Sequence, residues 1–468
     1  MTAETYDLIL RQARIANPDG EFTGALGIRS GRIAAVWPEA GDPGRDASPA
    51  QAGQVLDCAG CWVLPGAVDP HVHVGISFGS VATDETYEQC SAAALLGGTT
   101  TIVDFAIPGP GQTPLEAVEA RLAAGRSCLT DFALHGCYTQ RHAPFTGDIP
   151  ALADRGVRTI KLYTTYRDEL MASDELIGTV MTELARRGGL TYLHAEDNST
   201  IDDLTAQVSG AGPIDYTMIK KLRPEEAENR AVARMIELAA DSGAPVYFVH
   251  QSTARALELA HAARSAGQPV FSEVCPHYLL LDESRYDLDY GECFTCCPPL
   301  RSPATRDALL AAVLAGAGDT IGSDHCAFVR RHKAGAAHDL SAMPFGVPGV
   351  QTRMPVLLSE LHARRGLPMP DLVRLTATRP AELSGLADRK GRVAVGVDAD
   401  LVIWDPAAST TISAAGLAQA SDYSPFDGME LAGAIDTVIR SGQILVTNGT
   451  LQRSVPGRYL AAAPINCS

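Results

Sequence analysis

The sequence predicts an α/β chain, a TIM (β/α)8 barrel joined to a smaller β-sandwich domain built from both chain ends. Short β-rich runs alternate with helical stretches through the middle of the chain, the pattern of a parallel sheet wrapped in helices. Eight such runs are present, the number that closes a barrel. Apolar and polar residues alternate over short stretches near both termini, as in strands with one buried face.

Residues 1–61 carry the first part of the sandwich, in runs such as Asp7–Leu10, Gly27–Arg29 and Arg32–Val36, punctuated by Gly and Pro. The barrel is expected over 62–387. Its strands are Trp62 to His73, Thr99 to Ala106, Phe132 to Tyr138, Thr159 to Tyr163, Leu190 to Ala195, Pro245 to His250, Val270 to Val274 and Thr320 to Ser323. The intervening helices have local support: Pro224 opens Glu225-Glu226-Ala227-Glu228, whose acids suit a helix N-terminus, and Gly243 ends the run. Residues 388–456 return to the sandwich with Asp400–Trp404 and Thr437–Val446, and 457–468 form a tail.

A chain of 468 residues has apolar surface for one large core and a smaller one. Its formal charge of -17 argues against nucleic acid or an anionic membrane as the main partner. The first residues lack a basic and apolar leader, and no apolar run has the length of a membrane span, so a cytoplasmic protein is expected. Eleven cysteines, an odd number, fit a reducing compartment better than a disulfide framework. The pairs Cys58/Cys61 and Cys293/Cys296 have zinc-site spacing but lie far apart, and strands or their loops already account for each.

In such a barrel the reactive groups gather at the C-terminal ends of the strands. The first run ends in His71 and His73, two apart and therefore on one face. The fourth carries Lys161, the fifth ends in His194, the sixth in His250, and the eighth runs into Asp324 and His325. A lone strand-end histidine is more often structural than ligating. Imidazoles and a carboxylate converging on one barrel mouth, however, call for a metal or a dense hydrogen-bond network.

Lys161 is the odd member. An ammonium between Ile160 and Leu162, aimed at a cationic centre, meets both desolvation and like charge. Either it snorkels outward, or its neutral amine captures carbon dioxide and becomes a bridging carbamate.

These residues sit in Pro65-Gly66-Ala67-Val68-Asp69-Pro70-His71-Val72-His73, Gly97–Asp104, Leu193-His194-Ala195-Glu196, Val249-His250, Ser323-Asp324-His325-Cys326 and Gly396–Leu401. With these motifs the chain resembles, over nearly its whole length, the cyclic amidohydrolases: the dihydropyrimidinase and hydantoinase group, with allantoinases and dihydroorotases close by. The resemblance implies two zinc ions per subunit, one held by His71, His73, carboxylated Lys161 and Asp324, the other by the carbamate, His194 and His250. It implies a hydroxide bridging the two ions that attacks a cyclic amide, Asp324 as proton shuttle and Tyr166 as oxyanion donor. Glu196 and His325 would support neighbouring ligands. It also implies a homo-oligomer, tetramer or dimer, in which the stretch after Pro456 can reach a neighbour.

The substrate side of the resemblance is less uniform. Gly75 stands where dihydroorotases carry an arginine for a substrate carboxylate, which argues against that activity. Ile76, Phe78, Leu170 and Met171 offer an apolar pocket for an exocyclic substituent. Cys297 replaces a common Ser and Phe345 an Asn, and an aromatic residue beside that glycine-rich turn looks more like the allantoinase pattern. The expected activity is ring opening of a dihydropyrimidine or hydantoin, ahead of allantoin or another cyclic ureide or imide. A non-catalytic scaffold that keeps the barrel is set aside because all six ligand positions are filled.

Overall fold

The computed structural model describes residues 5–38, 52–78 and 81–467. Parallel strands Ala67–His73, Thr99–Ala106, Asp131–Cys137, Thr159–Tyr163, Leu190–His194, Val246–Phe248 and Val270–Val274 pair in sequence order. Thr320–Ile321 adds to Val270–Val274, and His325–Cys326, four residues on, pairs with Ala67–His73. Both ends of the sheet order thus come from one short segment, and the sheet closes on itself as the eighth barrel strand.

The run Trp62 to His73, read as one strand, is two. Trp62–Pro65 pairs with Arg14 and Ile15 on one side and with Leu401–Trp404 on the other, inside the small domain; the barrel begins at Ala67. Gly66 marks the division, its amide donating to Asp400 O. The small domain is a nine-stranded sheet of both chain ends: Tyr6–Asn17, Gly20–Arg29, Arg32–Pro38, Ala52–Asp57, Trp62–Pro65, Leu401–Thr411, Glu430–Arg440, Gln443–Thr447 and Thr450–Leu451. It curls until the Ala399 amide donates to Gly31 O, enclosing Leu8, Ile15, Ile28, Val63, Ile403 and Ile439.

The helix after Pro224 spans Glu225–Ser242 and stops at Gly243, whose φ of 63° suits a residue without Cβ. No helix among the described residues is long and apolar enough to cross a membrane. All eleven cysteines are unpaired; Cys58 packs in the small-domain core while Cys293 and Cys296 lie in the barrel-side core, so the two C-x-x-C pairs do not meet.

The tail runs across the N-terminal end of the chain's own barrel. The Phe132 amide donates to Arg458 O, the Leu460 amide to Phe132 O, and the Ile465 amide to Gly188 O. Beside it lies a buried ionic cluster in which Lys390 Nζ reaches Asp131 (2.7 Å), Asp400 (2.6 Å) and Asp398 (3.2 Å), while Arg458 reaches Asp131 and Asp398. Removing the cation from such a cluster strands buried carboxylates. Lys390→Met should therefore lower the unfolding free energy by about 3–5 kcal/mol in urea titration; a loss under about 1 kcal/mol would contradict this account.

Candidate metal centre

Strand pleat and barrel closure together build the centre. His71 and His73 leave the first strand on the same face, and their Nε2 atoms stand 3.2 Å apart. Asp324 arrives from the seam segment, with Oδ1 3.1 Å from His71 Nε2 and 3.5 Å from His73 Nε2. His194 and His250 stand close by, their ring centroids 4.6 Å apart and the His250 ring 5.4 Å from that of His71. All are buried.

The backbone is strained where these groups are delivered. Tyr166, His250 and Asp324 have φ of 66°, 39° and 50°, in the left-handed region that non-glycine residues avoid. Each such residue costs about 1–3 kcal/mol and persists only where the surroundings over-determine it.

Glu273, on the seventh strand, was not singled out from the sequence. Its Oε1 lies 2.6 Å from His71 Nδ1 and accepts the His250 amide at 3.0 Å. With Nδ1–H donating to Glu273, His71 Nε2 is the ring nitrogen that faces His73 and Asp324. Burial lowers the His71 pKa, and the Glu273 and Asp324 carboxylates outweigh it, raising the group to about 9. Burial also pulls His194 and His250 down, favouring their neutral, ligating form. His250 Nδ1 is buried with no hydrogen-bond partner among the described residues.

Lys161 Nζ has neither ion pair nor hydrogen bond among the described residues, lying 5.0 Å and 5.2 Å from the ring centres of Phe105 and Tyr163. Its pKa falls to about 8 because desolvation outweighs the pull of Asp324 and Glu273. It points inward, not outward. An orphaned imidazole nitrogen, two adjacent ring nitrogens with a carboxylate, and an unpaired amine suit divalent metal of borderline softness. His71, His73 and Asp324 together could hold one ion.

A second buried group, Glu85, Cys90 and His325, also has metal-capable atoms in reach, but both ring nitrogens of its histidine are already engaged. His325 Nδ1 accepts the Gly349 and Val350 amides at 3.0 and 3.3 Å, so Nε2 carries the proton toward Glu85 Oε2 at 2.9 Å. Glu196 takes a comparable supporting place, 2.7 Å from His194 Nε2 and 2.5 Å from Arg223 Nη1.

A cavity of about 120 Å³ opens over the centre. Of the residues read from sequence as substrate-facing, Ile76, Leu170, Cys297 and Phe345 line it, along with Tyr166. Met171 does not; it borders a neighbouring surface hollow with Gln140, Arg141 and Arg167 while pairing with Tyr163 as a β-bridge. The Phe78 side chain lies outside the described residues. Ile107, Tyr163 and Cys326 also line the cavity and carried no sequence signal of their own.

Residues 62–445 match the model of the amidohydrolase family. Over 98% of its length the chain is 34% identical to a D-phenylhydantoinase of Escherichia coli O1:K1, of which it covers 98%. The solved dihydropyrimidinase of Brevibacillus agri superposes with a TM-score of 0.92 at 30% identity, covering 98% of this chain and 99% of that one. The L-hydantoinase of Arthrobacter aurescens superposes with a TM-score of 0.87 at 29% identity, covering 96% and 98%.

Glu273→Gln keeps the shape but removes the carboxylate that orients His71. Retention of divalent metal against a chelator should weaken by about 10–100-fold; unchanged retention would remove Glu273 from the account of the centre.

Proposed function

The chain belongs to the amidohydrolase family, and from that premise we propose that it opens a cyclic amide ring of the hydantoin or dihydropyrimidine type by metal-assisted hydrolysis. The observation that carries the reading is the convergence of His71 Nε2, His73 Nε2 and Asp324 Oδ1 on one buried point beneath a small cavity. The donors suit two zinc ions, one on His71, His73, Lys161 and Asp324, the other on Lys161, His194 and His250. Bound there, the pair would supply hydroxide at neutral pH by lowering water's pKa from about 15.7 to about 7, roughly 12 kcal/mol, and would polarise the carbonyl.

Lys161 serves this centre as a carbamate. Its neutral amine attacks carbon dioxide, an N–C bond forms as one C–O π bond opens, one proton leaves, and the neutral amine becomes an anion able to bridge. Asp324, its pKa held well below the usual carboxylate range by His71 and His73 against the effect of burial, is ionised and able to accept a proton. It takes the proton of the attacking nucleophile and returns it to the departing ring nitrogen, so no free amide anion is expelled. Tyr166, whose hydroxyl burial keeps protonated, donates to the charge developing on the carbonyl oxygen.

Phe345 in the cavity wall favours allantoin or another cyclic ureide as the second reading. A turnover panel of dihydrouracil, 5-substituted hydantoins, allantoin, dihydroorotate and succinimide separates the two. Turnover of the hydantoins or dihydrouracil is expected; activity on allantoin alone would install the second reading, and activity on none would reopen the scaffold.

Lys161→Ala should empty the centre, from about two zinc per chain, until a short carboxylic acid is supplied; full zinc content and activity in that variant would defeat the carbamate. Because Lys161 sits near 8, its reactive neutral form grows as pH rises through that value. Metal-free protein given zinc at equal dissolved carbon dioxide should therefore regain activity faster at pH 9 than at pH 6.5, and equal rates would count against capture by this amine.

A further inference from the structure

Arg223 is a buried guanidinium, 8% exposed, that the hydrolytic scheme leaves unused. Among the described residues only its Nη1 is engaged by a carboxylate, Glu196 Oε2. Its central carbon lies 4.8 Å over the Tyr166 ring and 5.8 Å from the Phe345 ring centre. An arginine kept only for charge balance has no need of two aromatic faces; a planar cation does stack on them, and a lysine reproduces the charge without the plane.

The surroundings hold that plane still. Arg223 ends the short helix Ile219–Leu222 and precedes Pro224, and its carbonyl accepts from Arg301 Nη1 at 2.6 Å. Arg301 is itself fixed by Ser252 and Glu228. Tyr166 by contrast sits on a strained turn, where its own carbonyl accepts the amides of Glu169, Leu170 and Met171. That fixes its backbone and leaves its ring to other side chains: His194 meets it edge-on at 5.2 Å, Tyr163 at 6.0 Å, Arg223 covers a face, and its hydroxyl is hydrogen-bonded to the Cys297 thiol.

We propose that Arg223 is a positioning residue for Tyr166, holding the ring by its face and linking it through Glu196 to His194. The inference rests on reading Tyr166 as the oxyanion donor. The chain His194–Glu196–Arg223–Tyr166 then fixes the donor relative to a ligand of the centre, so that the hydroxyl meets the carbonyl oxygen where charge develops. A ring free to swing would bind substrate as well but stabilise the transition state less often.

The test is a double-mutant cycle on zinc-loaded protein with a 5-substituted hydantoin, read with zinc content and melting temperature. Tyr166→Phe should lower kcat by about 10²–10³-fold. Arg223→Lys should lower kcat about tenfold with KM, zinc content and melting temperature little changed, and should slow Tyr166→Phe no further. The same tenfold loss in the Tyr166→Phe background, or a wild-type kcat in Arg223→Lys, overturns the inference while the donor role stands. A wild-type kcat in Tyr166→Phe overturns the donor role and the inference with it. Should Arg223→Lys not fold, Arg223→Gln in both backgrounds reads the same way.

Discussion

The seam between the first and eighth barrel strands is the contact on which the rest of the molecule depends. Thr320–Ile321 and His325–Cys326 are too short to hold a barrel shut by ladder hydrogen bonds alone. Buried side chains do the stitching. Asp69 Oδ1 accepts the Ser323 amide at 3.0 Å, Ser323 Oγ donates to His71 O, and Arg353 Nη1 donates to Val68 O and Ile321 O across the gap. Gly322 lets the strands approach: a Cβ there would lie 2.7 Å from Glu273 Oε2 and 3.0 Å from His71 Cβ. Closing the barrel therefore carries Asp324 to the two histidines as a geometric consequence, and the left-handed φ at Asp324 is the strain that closure absorbs.

That coupling explains why part of the centre was legible in sequence. His71 and His73 follow from the pleat alone, and His194, His250 and Asp324 from their positions at strand ends, because parallel strands in a barrel all point their C-terminal ends at one mouth. Lys161 stood out for the opposite reason: an ammonium flanked by Ile160 and Leu162 contradicts its surroundings unless its chemistry changes.

What escaped the sequence depends on contacts without a fixed spacing. Glu273 looks like an ordinary polar residue in Val270–Val274 until barrel curvature sets it beneath His71. Arg223 lies between two helices, 57 residues from the Tyr166 it covers, and neither periodicity nor motif relates them. The division at Gly66 was hidden because Trp62–Pro65 and Ala67–His73 are both buried throughout and read as one apolar run. The tail was legible as a tail but its docking place was not: backbone hydrogen bonds at Phe132, Gly156 and Gly188, beside the Arg458 ion pairs to Asp131 and Asp398, join positions that no motif relates.

The two departures from the group's usual pattern, Cys297 and Phe345, are physically one wall. Between them lies Lys333, fully buried, whose Nζ donates to Thr295 O at 2.8 Å, Thr295 Oγ1 at 3.0 Å and Gly346 O at 2.7 Å. The Gly346 amide returns a bond to Thr295 O. Three donors satisfied by three oxygens make a rigid brace, so the thiol and the aromatic ring face the cavity at a fixed separation. A braced wall discriminates by shape because it cannot move to accommodate a misfit.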